Sequence, residues 1–206
     1  MDKVLKYLME NFPDNEPIFI KELEIESMPK TTLRVKIKEL TDAGLLVRYS
    51  TGVYYLYTPN TDGVSHDISA EEIITKKYIK KNGVTTGYNS FNAFITQNRE
   101  KSTFYIVSNA ATSDHRVIKM DNFVIDIKKP KTVINDSNFR VLQFLDMINE
   151  LKNDDIKSNS HLKNDVRAYL KNMGISPLDL RDFVIYYPDK IYKSLFELDL
   201  ISFTEF

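Results

Sequence analysis

Cysteine is absent from the 206 residues. A disulfide scaffold, a thiolate zinc site and a cysteine nucleophile are therefore excluded, and a reducing cytoplasm fits. No apolar run approaches membrane-spanning length, and the N-terminus has neither the basic start nor the apolar core of a signal peptide. The expected location is the cytoplasm, with no membrane partner. No internal repeat and no low-complexity tract is present. An excess of one charge is also lacking: 28 basic residues face 29 acidic ones, a net charge of -1. A dedicated nucleic-acid binder is often more basic. What remains is the composition of a soluble globular chain, 42% hydrophobic and 28% charged. Its length suits two small domains or one medium domain, folding without staples.

The first sixty residues are the most informative. A polar and basic helix, PKTTLRVKIKELTDAG, is expected over 29–44, followed at once by the hairpin LLVRYSTGVYYLY with its tip at Ser50, Thr51 and Gly52. Leu33, Ile37 and Leu40 are spaced i, i+4, i+7 and form one buried stripe. At 100° per residue Thr31, Arg34, Val35 and Lys38 then lie on the far side, with Thr32 at its edge. Gly44 supplies the helix end. Upstream, 1–11 reads as an amphipathic helix on Val4, Leu5 and Leu8, and 19–23 as a second helix with Ile18 and Ile20 inward. Helix, helix, polar helix, glycine and basic hairpin is the order of a winged helix-turn-helix. From 29 to 57, Lys30, Arg34, Lys36, Lys38 and Arg48 outnumber Glu39 and Asp42, a local excess of three positive charges. Phosphates respond to that local field. Threonine, arginine, lysine and valine suit phosphates, base edges and a thymine methyl.

A polar linker is expected over 61–67. The capping box at Ser69 with Glu72 opens a helix expected to run to Lys81 and to stop at Asn82 and Gly83. A further helix is read over 88–94, strands over 103–108, 117–120 and 122–127, and an apolar helix over 139–151. The stretch 153–160 reads as a loop, with helices at 161–173 and 188–200.

Other constellations carry less. Asp126 and Lys128 end a strand with Asp114 upstream, a pattern metal-dependent nucleases use because carboxylates hold magnesium while a lysine steadies the phosphate. An alternating strand with a wet face looks the same, and no third acidic ligand has convincing spacing. His66, His115 and His161 are too far apart in sequence for a metal motif. Gly83 and Gly87 lack the lysine of a phosphate-cradling loop, and no serine sits in a nucleophile elbow. The tyrosines of 183–192 read as core or interface. No enzyme, cofactor or metal is expected.

The segment KTTLRVKIKELTDAGLLVRYSTGVYYLYTP resembles the helix–wing region of AbiEi-type antitoxins, the transcriptional-regulator halves of type IV toxin–antitoxin systems of abortive infection and phage defence. Gly44, Leu46, Arg48, Gly52, Tyr54 and Tyr55 occupy the places of the family's glycine, strand and paired-tyrosine pattern. The similarity continues through ISAEEIITKKYIKKNGVTTGYNSFNAFITQNREKSTFYIVSN and RVIKMDNFVIDIKKP, about two-thirds of the chain. Ala93, Phe94 and Ile95 replace the Leu-Gly-Leu that often precedes the family's Thr-Gln, and the tail after Asn153 departs from its pattern. The resemblance implies a repressor that binds inverted repeats in its own promoter and counters a nucleotidyltransferase-like toxin. The expected architecture is α+β: a winged helix-turn-helix over 1–60, then a larger mixed α/β domain over 68–206 with a small sheet and a helical C-terminal part. The expected DNA-binding residues are Lys30, Thr31, Thr32, Arg34, Val35, Lys36, Lys38, Arg48, Ser50 and Thr51. Two alternatives are a winged-helix protein-interaction module that binds no DNA, and the magnesium-dependent nuclease.

Overall fold

A computed structural model of the chain describes residues 2–56, 68–90, 103–120 and 122–201. The fold is mixed α+β, in two compact units, Met1–Lys76 and Lys77–Phe206.

In the first unit Asp2 caps α1 (Lys3–Asn11), accepting from the backbone N–H of Val4 at 2.8 Å and Leu5 at 3.4 Å. Such a cap contributes about 1 kcal/mol. Val4 and Leu8 are fully buried. The helix expected over 19–23 is instead a short strand, β1 (Ile18–Phe19), and one 3-10 turn, Ile20–Glu22. Ile18 lies opposite Tyr54 and Phe19 opposite Val53, so β-branched and aromatic residues gain ladder bonds that override the helical spacing. Helix α2 (Lys30–Asp42) buries Leu33, Ile37 and Leu40, as their spacing requires. It closes with Gly44 at φ 71°, whose N–H reaches Thr41 O, while Leu45 N–H reaches Leu40 O, both at 3.0 Å. Only a left-handed residue lets the chain reverse so tightly into β2 (Leu46–Ser50). Its partner β3 (Val53–Leu56) completes a three-stranded sheet in the order β1-β3-β2. The core joins Leu8 of α1, Ile18 of β1, Leu33 and Ile37 of α2, and Leu46 and Leu56 of the hairpin.

The expected linker, 61–67, lies outside the described residues. The capping box is formed: Glu72 N–H donates to Ser69 Oγ at 3.2 Å and Ser69 N–H to Glu72 Oε2 at 2.6 Å. Its helix, α3 (Ala70–Ile74), belongs to the first unit. There Lys76 Nζ, 2.6 Å from Glu16 Oε1 and 4.9 Å from the centre of the Phe12 ring, ties the following turn back to the end of α1. The helix does not reach Lys81. A π turn, Thr75–Ile79, leads into β4 (Lys80–Lys81), which pairs with β5 (Val84–Thr85). Asn82 and Gly83, at φ 51° and 80°, form the two-residue reversal that Asn-Gly favours, and that turn outweighs helix propensity.

In the second unit a four-stranded sheet has the order β6 (Gly87–Asn89), β7 (Thr103–Ser108), β9 (Phe123–Lys128), β8 (His115–Met120). Strands β7 and β9 run parallel, and the other pairs are antiparallel. Residues 88–89, expected in a helix, lie in β6. Tyr88 pairs with Val107, and an added Cβ at Gly87 would strike the Tyr78 carbonyl oxygen. The rest of that expected helix, 91–94, lies outside the described residues. Helix α4 (Phe139–Glu150) is apolar as expected and buries Phe144, Leu145 and Ile148 completely. Gln143 Nε2 fastens it to the sheet by donating to Asn89 O at 2.7 Å. The expected loop at 153–160 contains α5 (Asn153–Ser158), which buries Ile156 and whose start Asp155 secures by accepting from Lys152 N–H at 2.9 Å. Helices α6 (Leu162–Met173), α7 (Pro177–Val184) and α8 (Lys190–Glu197) follow. Helix α7 is not among the expected elements, although Ser176, Pro177 and Asp179 spell its capped start.

Candidate nucleic-acid interface

Helix α2 is held by its buried stripe with the opposite face outward. Thr31, Thr32, Arg34 and Lys38 are exposed there, and Val35 is 57% exposed. Among the described residues no carboxylate is paired with Arg34, Lys38 or Arg48. Arg48 is exposed on β2, and its Nη2 donates to Thr51 Oγ1 at 3.1 Å. That bond orients the guanidinium along the hairpin tip and leaves its other donors available. Ser50 is half-buried at a register shift: Arg48 opposes Tyr54 and Ser50 opposes Val53, so the strand bulges just before Thr51 and Gly52. Gly52 at φ 83° makes the turn, and its carbonyl accepts from Ile20 N–H at 3.1 Å, fixing the tip to the 3-10 turn.

Two lysines among the expected contact residues are also engaged within the fold. Lys30 Nζ donates to Leu23 O at 2.6 Å and Lys21 O at 3.4 Å, gathering the carbonyls of the turn that precedes α2. Lys36 Nζ is 2.6 Å from Glu39 Oε2 and 3.8 Å from Asp2 Oδ2, which ties α2 to the cap of α1. The Glu39 hydrogen bond raises the Lys36 ammonium above its ordinary value. Spacing along one helix shows Glu39, at i+3 from Lys36, but not Leu23, Lys21 or Asp2, which come from other segments. The outward cations are thus Arg34, Lys38 and Arg48.

The acidic residues of the expected nuclease pattern are paired with basic neighbours. His115 Nε2 and Asp126 Oδ1 are 2.9 Å apart, Lys129 is 3.4 Å from Asp114, and Lys128 is 3.9 Å from Glu150. Asp114 is almost fully exposed. Among the described residues no group of three or more carboxylates or histidines could hold a metal. His66 lies outside the described residues, and His161 stands at the start of α6. Tyr187 is core, donating its hydroxyl to Leu142 O at 3.0 Å, whereas Tyr186 is 46% exposed.

A polar contact that the sequence does not announce lies beneath α4. Tyr88 Oη donates to Asp146 Oδ2 at 2.6 Å, across 58 residues of chain. Burial pushes the Asp146 carboxyl above the usual range, against the Tyr88 hydrogen bond. Burial also raises both phenols, so they remain donors. A carboxyl whose folded value is raised binds protons more tightly in the folded state. Its contribution is most favourable below the unfolded value of about 3.9 and is lost as pH rises through the folded value. Asp146→Asn keeps an acceptor for Tyr88 and removes the charge. Relative to wild type, the variant should gain thermal stability as pH rises above about 4. Parallel melting curves across that range would refute this assignment.

No helix among the described residues is long and apolar enough to cross a membrane. No protein-family model matches the chain, and no curated protein or solved structure matches it.

Proposed function

We propose that the first unit is a winged helix-turn-helix that binds double-stranded DNA sequence-specifically, with α2 as the reading helix and the β2–β3 hairpin as the wing. The observation that carries this is the exposed Arg34 and Lys38, with no acidic partner among the described residues, opposite the buried Leu33–Ile37–Leu40 stripe. A rigid helix with that face can enter a major groove, while Arg48 at the hairpin meets the backbone or minor groove. Together with the resemblance to AbiEi-type antitoxins, this supports a non-enzymatic cytoplasmic repressor of its own promoter that counters a nucleotidyltransferase-like toxin. Rescue of cells expressing the neighbouring toxin gene tests the antitoxin role.

Duplex DNA from the chain's own upstream region tests the DNA-binding role. Changing Arg34 and Lys38 to alanine should weaken binding by about 2–3 kcal/mol and reduce the salt dependence of log Kd. Lys36→Ala should leave affinity near wild type, since Lys36 serves the α1–α2 junction. Full retention of affinity in the double variant would remove α2 from the interface. A complete lack of salt-dependent binding by the wild-type chain would favour a winged fold that packs on protein instead.

A further inference from the structure

The outward face of α2 holds one large apolar side chain, Val35, which is 57% exposed. Thr31 precedes it by one turn, and Arg34 and Lys38 flank it. A valine exposed on a helix buries no apolar area there, so its side chain is free to meet an apolar group on whatever the helix face contacts. Among the described residues Arg34 and Lys38 have no acidic partner, and two such cations beside the valine favour an anionic cover. Asp42, exposed near the helix C-terminus, turns phosphates away there and moves the contact toward the N-terminal half, where Thr31 and Val35 lie. In the major groove of duplex DNA, the apolar feature that a valine can meet is the 5-methyl group of thymine.

We propose that Val35 packs on a thymine 5-methyl, so that the chain recognises an A·T pair through a methyl group, with Arg34 and Lys38 holding the helix in the groove. This rests on the DNA-binding reading above and adds what the site selects. Binding sequences are first selected by the full chain from a random duplex library. Each thymine of the selected duplex is then replaced singly by deoxyuridine, which removes only the methyl group. At one or more positions wild-type affinity should fall about three- to tenfold, as expected for one lost methyl contact. The Val35→Ala chain should bind the thymine duplex weaker by a similar factor and no longer distinguish thymine from deoxyuridine there. Its thermal melting should match wild type, since Val35 is exposed and alanine is the better helix former. If no position is sensitive to the methyl, or if Val35→Ala retains the discrimination, this inference falls and DNA binding stands. If no duplex is selected at all, the DNA-binding reading falls with it.

Discussion

Phe144→Ala should destabilise the second unit by about 3–5 kcal/mol, the usual cost of deleting a fully buried aromatic ring. Phe144 is 0% exposed in the middle of α4, and its ring stacks at 6.0 Å on Tyr169 of α6. The cluster around it draws on α4, α5, α6, α7 and α8, so the cavity cannot be filled by moving a single neighbour. Marginal stability leaves little reserve against such a loss. The first unit has its own core around Leu8, Leu33 and Leu46 and should keep its fold. Hydrogen exchange separates the two effects: α4 amides should lose protection while those of Leu33 and Ile37 retain it. A urea midpoint equal to that of wild type would show that the site repacks.

Gly87→Ala should also disrupt the second unit, by about 3 kcal/mol or more, through overpacking. An added Cβ would strike the Tyr78 carbonyl oxygen and come within 2.8 Å of the Val107 carbonyl oxygen and 3.0 Å of Ser108 Cβ. The two oxygens are backbone atoms. Tyr78 O also accepts from Ser108 Oγ at 2.6 Å, and Gly87 pairs with Ser108 in the sheet. Relief would therefore require opening the β6–β7 edge. Unchanged far-UV circular dichroism and an unchanged denaturant midpoint would show that the strands can separate without loss.

Periodicity made α2 and α4 legible, because each buries one stripe that its own spacing defines. The α2–β2 junction was legible for a similar reason, since Gly44 is a local requirement. Where strands replace expected helices at Phe19 and Tyr88, the cause lies far along the chain. Ile18 and Phe19 become a strand only because Val53 and Tyr54, far along the chain, offer them a ladder. Tyr88 pairs with Val107 for the same reason. Asn82 and Gly83 differ: the signal there is local, and the same dipeptide suits both a helix stop and a hairpin turn. At the candidate interface the outward positions of α2 followed from the helical repeat. The engagement of Lys30 with Leu23 O and of Lys36 with Asp2 did not, because it depends on how separate elements meet.

The sheet order β6-β7-β9-β8 constrains the timing of folding. The interior strand β9 is the last of the four to be synthesised, and both β7 and β8 bond to it. As the chain leaves the ribosome, β8 has no partner in this sheet until Lys128 emerges, and β7 can use only its β6 side. The β8–β9 hairpin is local and should close quickly, while the parallel β7–β9 pairing must close a longer loop. The apolar α4 emerges immediately afterwards and covers a sheet that has only just been completed. A pause before Lys128 emerges would therefore leave β8 without a partner in this sheet and β7 open on one side, edges that invite misassociation.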